Sequence, residues 1–217
     1  VNRTEGVRDQ ALARAVLEAA VARFTDGGYH ATSVRAIART ADTSPGSLYG
    51  VFANKQEILL EIAQAAYSSA AVELDASVST AEDVPVAKLN AAIWALCDFC
   101  TRHPRELRIA ESEVQNLPRE QRRLVAATRQ RIEDGLAEIL AGGAHIGDFR
   151  LGDSAAVARA LASMCLAIGS WYEPGGSESA RVVAETYCEL ATRMSGVRFR
   201  DLRRARRLTP TPARKTA

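Results

Sequence analysis

Alternating runs of β-branched and polar residues, the mark of half-buried strands, are missing from this 217-residue sequence, and their absence leaves an all-α chain. No stretch approaches the roughly 20 charge-free apolar residues of a membrane span. The opening VNRTEGVRDQ lacks the basic, apolar and small-residue succession of a secretory signal. A cytoplasmic chain with no membrane partner is expected. Cysteine is confined to Cys97, Cys100, Cys165 and Cys188, each inside an apolar helical pattern, which favours reduced core thiols over a disulfide framework. Cys97 and Cys100 have the spacing of redox and metal pairs, but no second pair exists and His103 is the only nearby ligand type, so core packing is their expected role. His30 and His145 lie far apart, with no carboxylate spacing that suggests a metal site. A Gly-x-Ser-x-Gly elbow, a phosphate-cradling glycine loop and a paired-acid arrangement are all lacking. No catalytic residue, metal or cofactor is therefore expected.

What the sequence does have is apolar content, 47% of its residues, enough for a substantial core. Its net charge of +2 hides an uneven distribution. Residues 1–55 carry seven Lys or Arg against five acids, 56–196 carry thirteen against twenty, and 197–217 carry eight against one. Basic ends on an acidic body suit a chain whose ends meet a polyanion, although basic tails are also plain solubilising segments. The tail VRFRDLRRARRLTPTPARKTA, weak in apolar residues, is expected to stay largely disordered.

Apolar spacing is helical nearly everywhere. ALARAVLEAAVARFTDGGY sets Leu17, Val21 and Phe24 three and four apart, which predicts a helix from about Asp9 to Thr25 stopped by Gly27-Gly28. Thr32 is placed to cap a second helix whose face is Val34, Ile37, Ala38 and Ala41. After a turn at Asp42-Thr43 comes TSPGSLYGVF. Ser44 can accept a hydrogen bond from the next turn, and Pro45 at the first helical position loses nothing, because its missing donor would be unpaired there. The predicted helix, Pro45 to about Val51, is far below the roughly 12 residues at which isolated helices become marginal, so packing must hold it. Leu48 and Phe52 form its buried face. Gly46, Ser47 and Gly50 are left outside, small and polar, which suits close approach to a charged surface. Asn54 with Glu57 is a near capping box for a fourth helix, with Lys55 at its positive end. Two short helices joined by a tight turn make a helix-turn-helix, or else a tight corner in a bundle.

GGYHATSVRAIARTADTSPGSLYGVFANKQEILL resembles the DNA-binding domain of the TetR family of transcriptional regulators. The match runs through Gly28-Tyr29, Ala31-Thr32-Ser33, Ile37-Ala38, Ser44, Gly46, Leu48-Tyr49, Phe52, Lys55 and Leu59, at the family's spacing. Two departures stand out: Asp42-Thr43 where the family usually has Gly-Val, and Gly50-Val51 in place of an aromatic and histidine pair. The resemblance implies a DNA surface of Thr32, Ser33, Arg35, Ser44, Pro45, Gly46, Ser47, Tyr49, Gly50 and Lys55. Arg35 is the candidate for direct base readout, a guanidinium being able to grip guanine in a bidentate manner; its other reading is a solvated charge. Tyr49 and Lys55 would meet phosphates.

The body reads as further helices: one to about Val78, one from Val86 to Thr101, Arg105 to Asn116, Arg119 to Leu140 before a glycine-rich loop AGGAHIGDF, the apolar SAAVARALASMCLAIGSWYE, and Ser177 to Met194. Expected divisions are a helix-turn-helix domain at 8–55, a helical ligand-binding and dimerisation domain at 56–196, and the tail at 197–217. The resemblance implies a homodimer paired through the last two long helices, with Leu161, Ile168, Val182 and Leu190 at the pairing face. SWYEPGG, ESEVQNLPREQRRL and GGAHIGDFRLGD look like TetR-type regulators that sense acyl-CoA thioesters from fatty acid or steroid breakdown. On that resemblance Trp94, Phe99, Met164, Trp171 and Tyr172 would line an apolar slot while Arg105, Arg108 or Arg129 meets phosphates; the aromatic residues also suit packed core. The expected function is a repressor of double-stranded, palindromic operator DNA controlled by a small hydrophobic or acyl-CoA effector. The alternative is a helical small-molecule-binding protein or enzyme with an incidental helix-turn-helix-like corner.

Overall fold

The structure, a computed structural model, describes residues 3–197. These form ten α-helices and one 3-10 turn, with no strand among the described residues. Two compact units are present: one gathers the chain up to Ala66 together with Arg105–Ala126, and the other takes Tyr67–Pro104 and Ala127 onward. The segment Arg105–Ala126 thus joins the N-terminal unit, a grouping that a linear division at residues 55 and 56 does not anticipate. The basic tail falls outside the described residues apart from Val197.

In the first unit, α1 (Arg3–Gly27) packs against α2 (Val34–Thr40) and α3 (Pro45–Val51). The unit also holds the first turns of α4 (Lys55–Thr80), α6 (Pro104–Ser112), the 3-10 turn Val114–Asn116 and the start of α7 (Arg119–His145). Val16, Ala20, Phe24, Ile37, Leu48 and Ile58 are buried in it. α1 begins at Arg3 and not at Asp9, because a helix anchored by buried residues extends through polar helix formers that have no apolar spacing to reveal them. It ends at Gly28, whose φ of 77° needs a glycine and whose N–H reaches the Phe24 carbonyl at 2.9 Å.

In the second unit, α5 (Pro85–Arg102) packs against α8 (Ser154–Leu166), α9 (Ile168–Trp171) and α10 (Ala180–Met194). Being surrounded, α5 buries Leu89, Ile93, Leu96, Phe99 and both its cysteines, which is why its apolar residues cover more than one stripe. All four cysteines are free and buried. Burial pushes the Cys97 thiol well up, and a hydrogen bond with Cys165 adds to the shift. No group of three or more His, Cys, Asp or Glu side chains able to hold a metal occurs among the described residues.

Further boundaries differ from the sequence reading. α7 continues through Gly142 and Gly143 to His145, where a glycine-rich loop was expected. At Gly143 the Phe149 ring occupies the place of a side chain: a Cβ there would lie 2.2 Å from Phe149 Cδ2. The glycine is therefore a packing residue, and the actual stop is Gly147, with φ of 83°. α10 starts at Ala180, because Ser179 supplies the cap by accepting from the Val182 N–H at 3.3 Å. The stretch Ser154–Trp171 is long and apolar enough by composition to cross a membrane, although Arg159 interrupts it. It is broken between α8 and α9, and it buries Leu161, Ala162, Cys165, Leu166 and Ile168 as core helices do.

Candidate nucleic-acid interface and effector residues

The turn before α3 is built by Asp42. It takes φ of 51°, its N–H donates to the Arg39 carbonyl, and the Thr43 N–H donates to the Ala38 carbonyl at 2.9 Å. This pair of bonds is the Schellman arrangement that usually employs glycine; aspartate is among the few side chains that tolerate it. Ser44 then caps α3, its Oγ accepting from the Ser47 N–H at 3.0 Å and lying 2.9 Å from Ser47 Oγ. Leu48 and Phe52 are buried and pin the helix down. Ser44, Pro45, Gly46, Ser47, Tyr49 and Gly50 are all exposed, Tyr49 by 54%. Among the described residues, a side chain at Gly46 would meet only Ser44 Oγ, at 3.7 Å, and one at Gly50 would meet nothing within 4 Å. Neither glycine has a positive φ, so the fold itself requires neither of them.

On α2, Arg35 and Arg39 are exposed and make no ion pair among the described residues. Arg39, not singled out from sequence, stands one helical turn from Arg35, and that spacing was the available signal. Two expected contacts are corrected. Thr32 is 2% exposed, and its hydroxyl donates to the Gly28 carbonyl at 2.8 Å and the Arg23 carbonyl at 3.1 Å, closing the end of α1. Ser33 caps α2 in its place, accepting from the Ala36 N–H at 3.2 Å. Lys55 points inward: its ammonium donates to the Tyr29 and Thr32 carbonyls at 2.7 and 2.9 Å and lies 4.2 Å from the Tyr29 ring centroid. Desolvation holds its pKa below the ordinary lysine value. The residue therefore clamps the connection between α1 and α2. Nothing in its sequence position distinguishes this from a phosphate contact, since the carbonyls it meets lie over twenty residues away.

His30, beside this clamp, donates from Nε2 to Asn116 Oδ1 at 2.7 Å, and Asn116 Nδ2 donates to Glu113 at 2.8 Å. The helix-turn-helix is thereby tied to the Arg105–Ala126 segment of its own unit, a link that sequence alone gave no sign of.

The candidate effector residues divide between the units. Arg105 and Arg108 are exposed on α6 in the first. Phe99 and Tyr172 are buried in the second, Trp94 and Met164 half-buried, and Trp171 exposed. Phe99 stacks on His103 at 4.6 Å, and Trp171 meets Tyr172 edge-on at 6.2 Å. Arg129 is engaged by Glu133 at 2.8 Å and donates to Ser163 Oγ at 3.1 Å. Arg159 approaches the same buried Glu133 at 3.6 Å, a pairing missed from sequence because its partners are on different helices. Of the pairing residues, Leu161 and Ile168 are fully buried in the core of their own unit and cannot also form an outer face. Val182 and Leu190 are 51% and 38% exposed.

Comparison with known proteins follows the same lines. Residues 16–62 match the model of bacterial regulatory proteins of the tetR family, and 82–195 match the tetracyclin repressor-like C-terminal domain. The transcriptional repressor KstR2 of Mycobacterium tuberculosis is 30% identical over 185 residues, covering 84% of this chain and 90% of KstR2. A tetR-family regulatory protein from Rhodococcus RHA1 superposes with a TM-score of 0.80 at 27% identity, over 86% of this chain and 98% of that one. AibR, solved with isovaleryl coenzyme A and operator DNA, has the same fold, with a TM-score of 0.74 at 24% identity over 86% of this chain and all of its own. With both domain models matched in order and the helix-turn-helix built as described, the chain belongs to the tetR family of bacterial transcriptional regulators.

Proposed function

We propose that this regulator is a homodimeric, cytoplasmic repressor that reads the two halves of a palindromic operator with paired α3 helices and leaves DNA when an acyl-CoA-type effector binds. One observation carries the DNA reading: α3 keeps two glycines that its own packing does not ask for. Glycine is the poorer helix former at both positions, by up to about 1 kcal/mol relative to alanine. The compensation lies outside the fold, where a backbone without side chains can enter a major groove. Gly46→Leu is expected to abolish operator binding while helicity and oligomeric state are unchanged, and Gly46→Ala to raise the melting temperature. Normal operator affinity in Gly46→Leu would refute this placement of α3. Arg35→Ala is expected to change the preferred sequence, since Arg35 is exposed at the front of α2 with no ion partner among the described residues.

Support for the effector class comes from two relatives. KstR2 is described as a ketosteroid regulator, and AibR was solved with isovaleryl coenzyme A. The apolar candidates Trp94, Phe99, Met164 and Tyr172 share a unit with Arg129, a combination suited to a thioester with an anionic carrier. Effector and operator would oppose each other through one equilibrium. A panel of acyl-CoA esters, free acids and hydrophobic drugs, tested for release of operator DNA, separates the readings. Release by CoA esters is expected; release by free acids or drugs alone would remove the acyl-CoA assignment and leave the regulator intact.

Dimer pairing is assigned to the outer faces of α8 and α10. Val182, Leu190 and Met194 stand exposed on α10, and Ala156, Ala160 and Ser163 give α8 a small-residue outer face. An exposed apolar strip of this kind is a liability on a monomer.

A further inference from the structure

A cleft of about 580 Å³ opens in the second unit, between the C-terminal half of α4, the start of α5 and the last turns of α7. None of the expected effector residues lines it. Its floor is apolar, with Leu74 and Val78 from α4 and Ile139 from α7, and the adjoining Ile146 is 62% exposed. Gly142 adds open space, since a side chain there would touch nothing within 4 Å. The charged groups in the cleft are Asp75, Asp83, Glu138 and Lys88. Lys88 is paired with Asp83 at 2.5 Å, whereas Asp75 and Glu138 have no ion partner among the described residues. An apolar floor with an excess of carboxylates fits a basic segment that also carries apolar side chains.

The chain itself supplies such a segment and leads it to the cleft. The Arg150 N–H donates to the Ser195 carbonyl at 2.9 Å, and a side chain at Gly196 would lie 2.2 Å from the Arg150 carbonyl oxygen. The neighbouring Phe149 packs on Gly143, which lines the cleft. The last described residues therefore run beside the end of α7 where the cleft begins. Residues 198–208, RFRDLRRARRL, follow directly, with six arginines against one acid and with Phe199, Leu202 and Leu208. Ten residues can span roughly 33 Å, about twice the ~17 Å of helix between Gly135 and Ile146.

We propose that this cleft is the docking site of the chain's own basic segment 198–208, with arginines meeting Asp75 and Glu138 and the apolar side chains on the floor. Seated there, the segment is withheld from nucleic-acid phosphates, so the acidic body masks the basic end. The proposal stands independently of which effector the regulator binds.

Limited trypsin digestion of the 217-residue chain at low ionic strength tests it, with cleavage after Arg203 to Arg207 followed by mass spectrometry. A synthetic peptide of residues 198–217 serves as the unprotected reference. The tail of the wild-type protein is expected to be cut more slowly than the peptide. Asp75→Asn/Glu138→Gln, which adds no trypsin site, should speed tail cleavage by about fivefold, as the loss of two exposed ion pairs implies, with cleavage of the body unchanged. Circular dichroism confirms that the variant is folded. Cleavage of the wild-type tail at the rate of the peptide overturns the proposal, as does protection that persists in the double variant. Protection that appears only when DNA is added assigns the segment to nucleic acid and overturns it too.

Discussion

Two residues of the same expected surface, Gly46 and Lys55, turn out to do opposite things. Gly46 is outside, unneeded by its neighbours, and Gly46→Leu is expected to act on DNA binding without costing the fold. Lys55 is turned inward, with two of its three N–H groups on carbonyls of the connection between α1 and α2. Lys55→Met keeps the apolar stem but leaves both carbonyls without their charged donor. It is expected to destabilise the protein by about 1–3 kcal/mol, read as a lower urea midpoint at unchanged slope. A loss of operator affinity at unchanged urea midpoint would return Lys55 to the phosphates. Asp42 belongs to the same scale: glycine adopts its φ of 51° without strain, so Asp42→Gly should gain up to about 1 kcal/mol without moving α3.

At the scale of the element, helices α8 and α10 each have an inner and an outer face, and the apolar residues of the two faces differ in kind. Leu161 on α8 is fully buried, while Leu190 on α10 is 38% exposed. A charge at Leu161 must enter a packed core and is expected to unfold the chain. A charge at Leu190 meets solvent in the monomer, so Leu190→Asp is expected to leave helicity and melting of the isolated subunit near normal while shifting sedimentation at micromolar concentration to the monomer. A wild-type protein that sediments as a monomer under those conditions would defeat the paired arrangement.

For the whole molecule, the unit boundary suggests how the two functions communicate. Arg105–Ala126 is covalently flanked by the second unit's helices yet belongs to the DNA-reading unit, where Asn116 accepts from His30. Asn116→Ala should therefore blunt release by effector more than it weakens operator binding itself. The buried thiols act on global stability. Burial pushes Cys188 up to about 12 and raises Cys97 as well, while the unfolded chain ionises its thiols near 8.5. The unfolded state then binds fewer protons, so stability is fully present below about pH 8.5 and falls as pH rises toward 12. The slope approaches about 1.4 kcal/mol per pH unit for each such thiol. Urea midpoints near neutrality and near pH 10 measure it, and Cys188→Ala should flatten the decline.

The all-α class, the short helix at Pro45 and the turn at Asp42 were legible in the sequence because each is set by local chemistry: apolar periodicity, a serine cap, a proline at the first position and a residue tolerant of positive φ. The exposed glycines of α3 were legible for the same reason, since Leu48 and Phe52 by their spacing fix which side is buried. Tertiary structure alone decided the rest. Whether Thr32 or Ser33 caps α2, and whether Lys55 faces DNA or carbonyls, depends on where the end of α1 lies in space. Leu161 and Leu190 are the same residue type in similar helical patterns, and only the placement of α5 tells the inner face from the outer. Gly143 reads as a helix breaker until Phe149 is seen to fill the place of its side chain. Local propensities act over a few residues, whereas Lys55 and Leu161 are settled by groups far away in the chain, and Thr32 and Gly143 by how the backbone folds back on the helix it has just left.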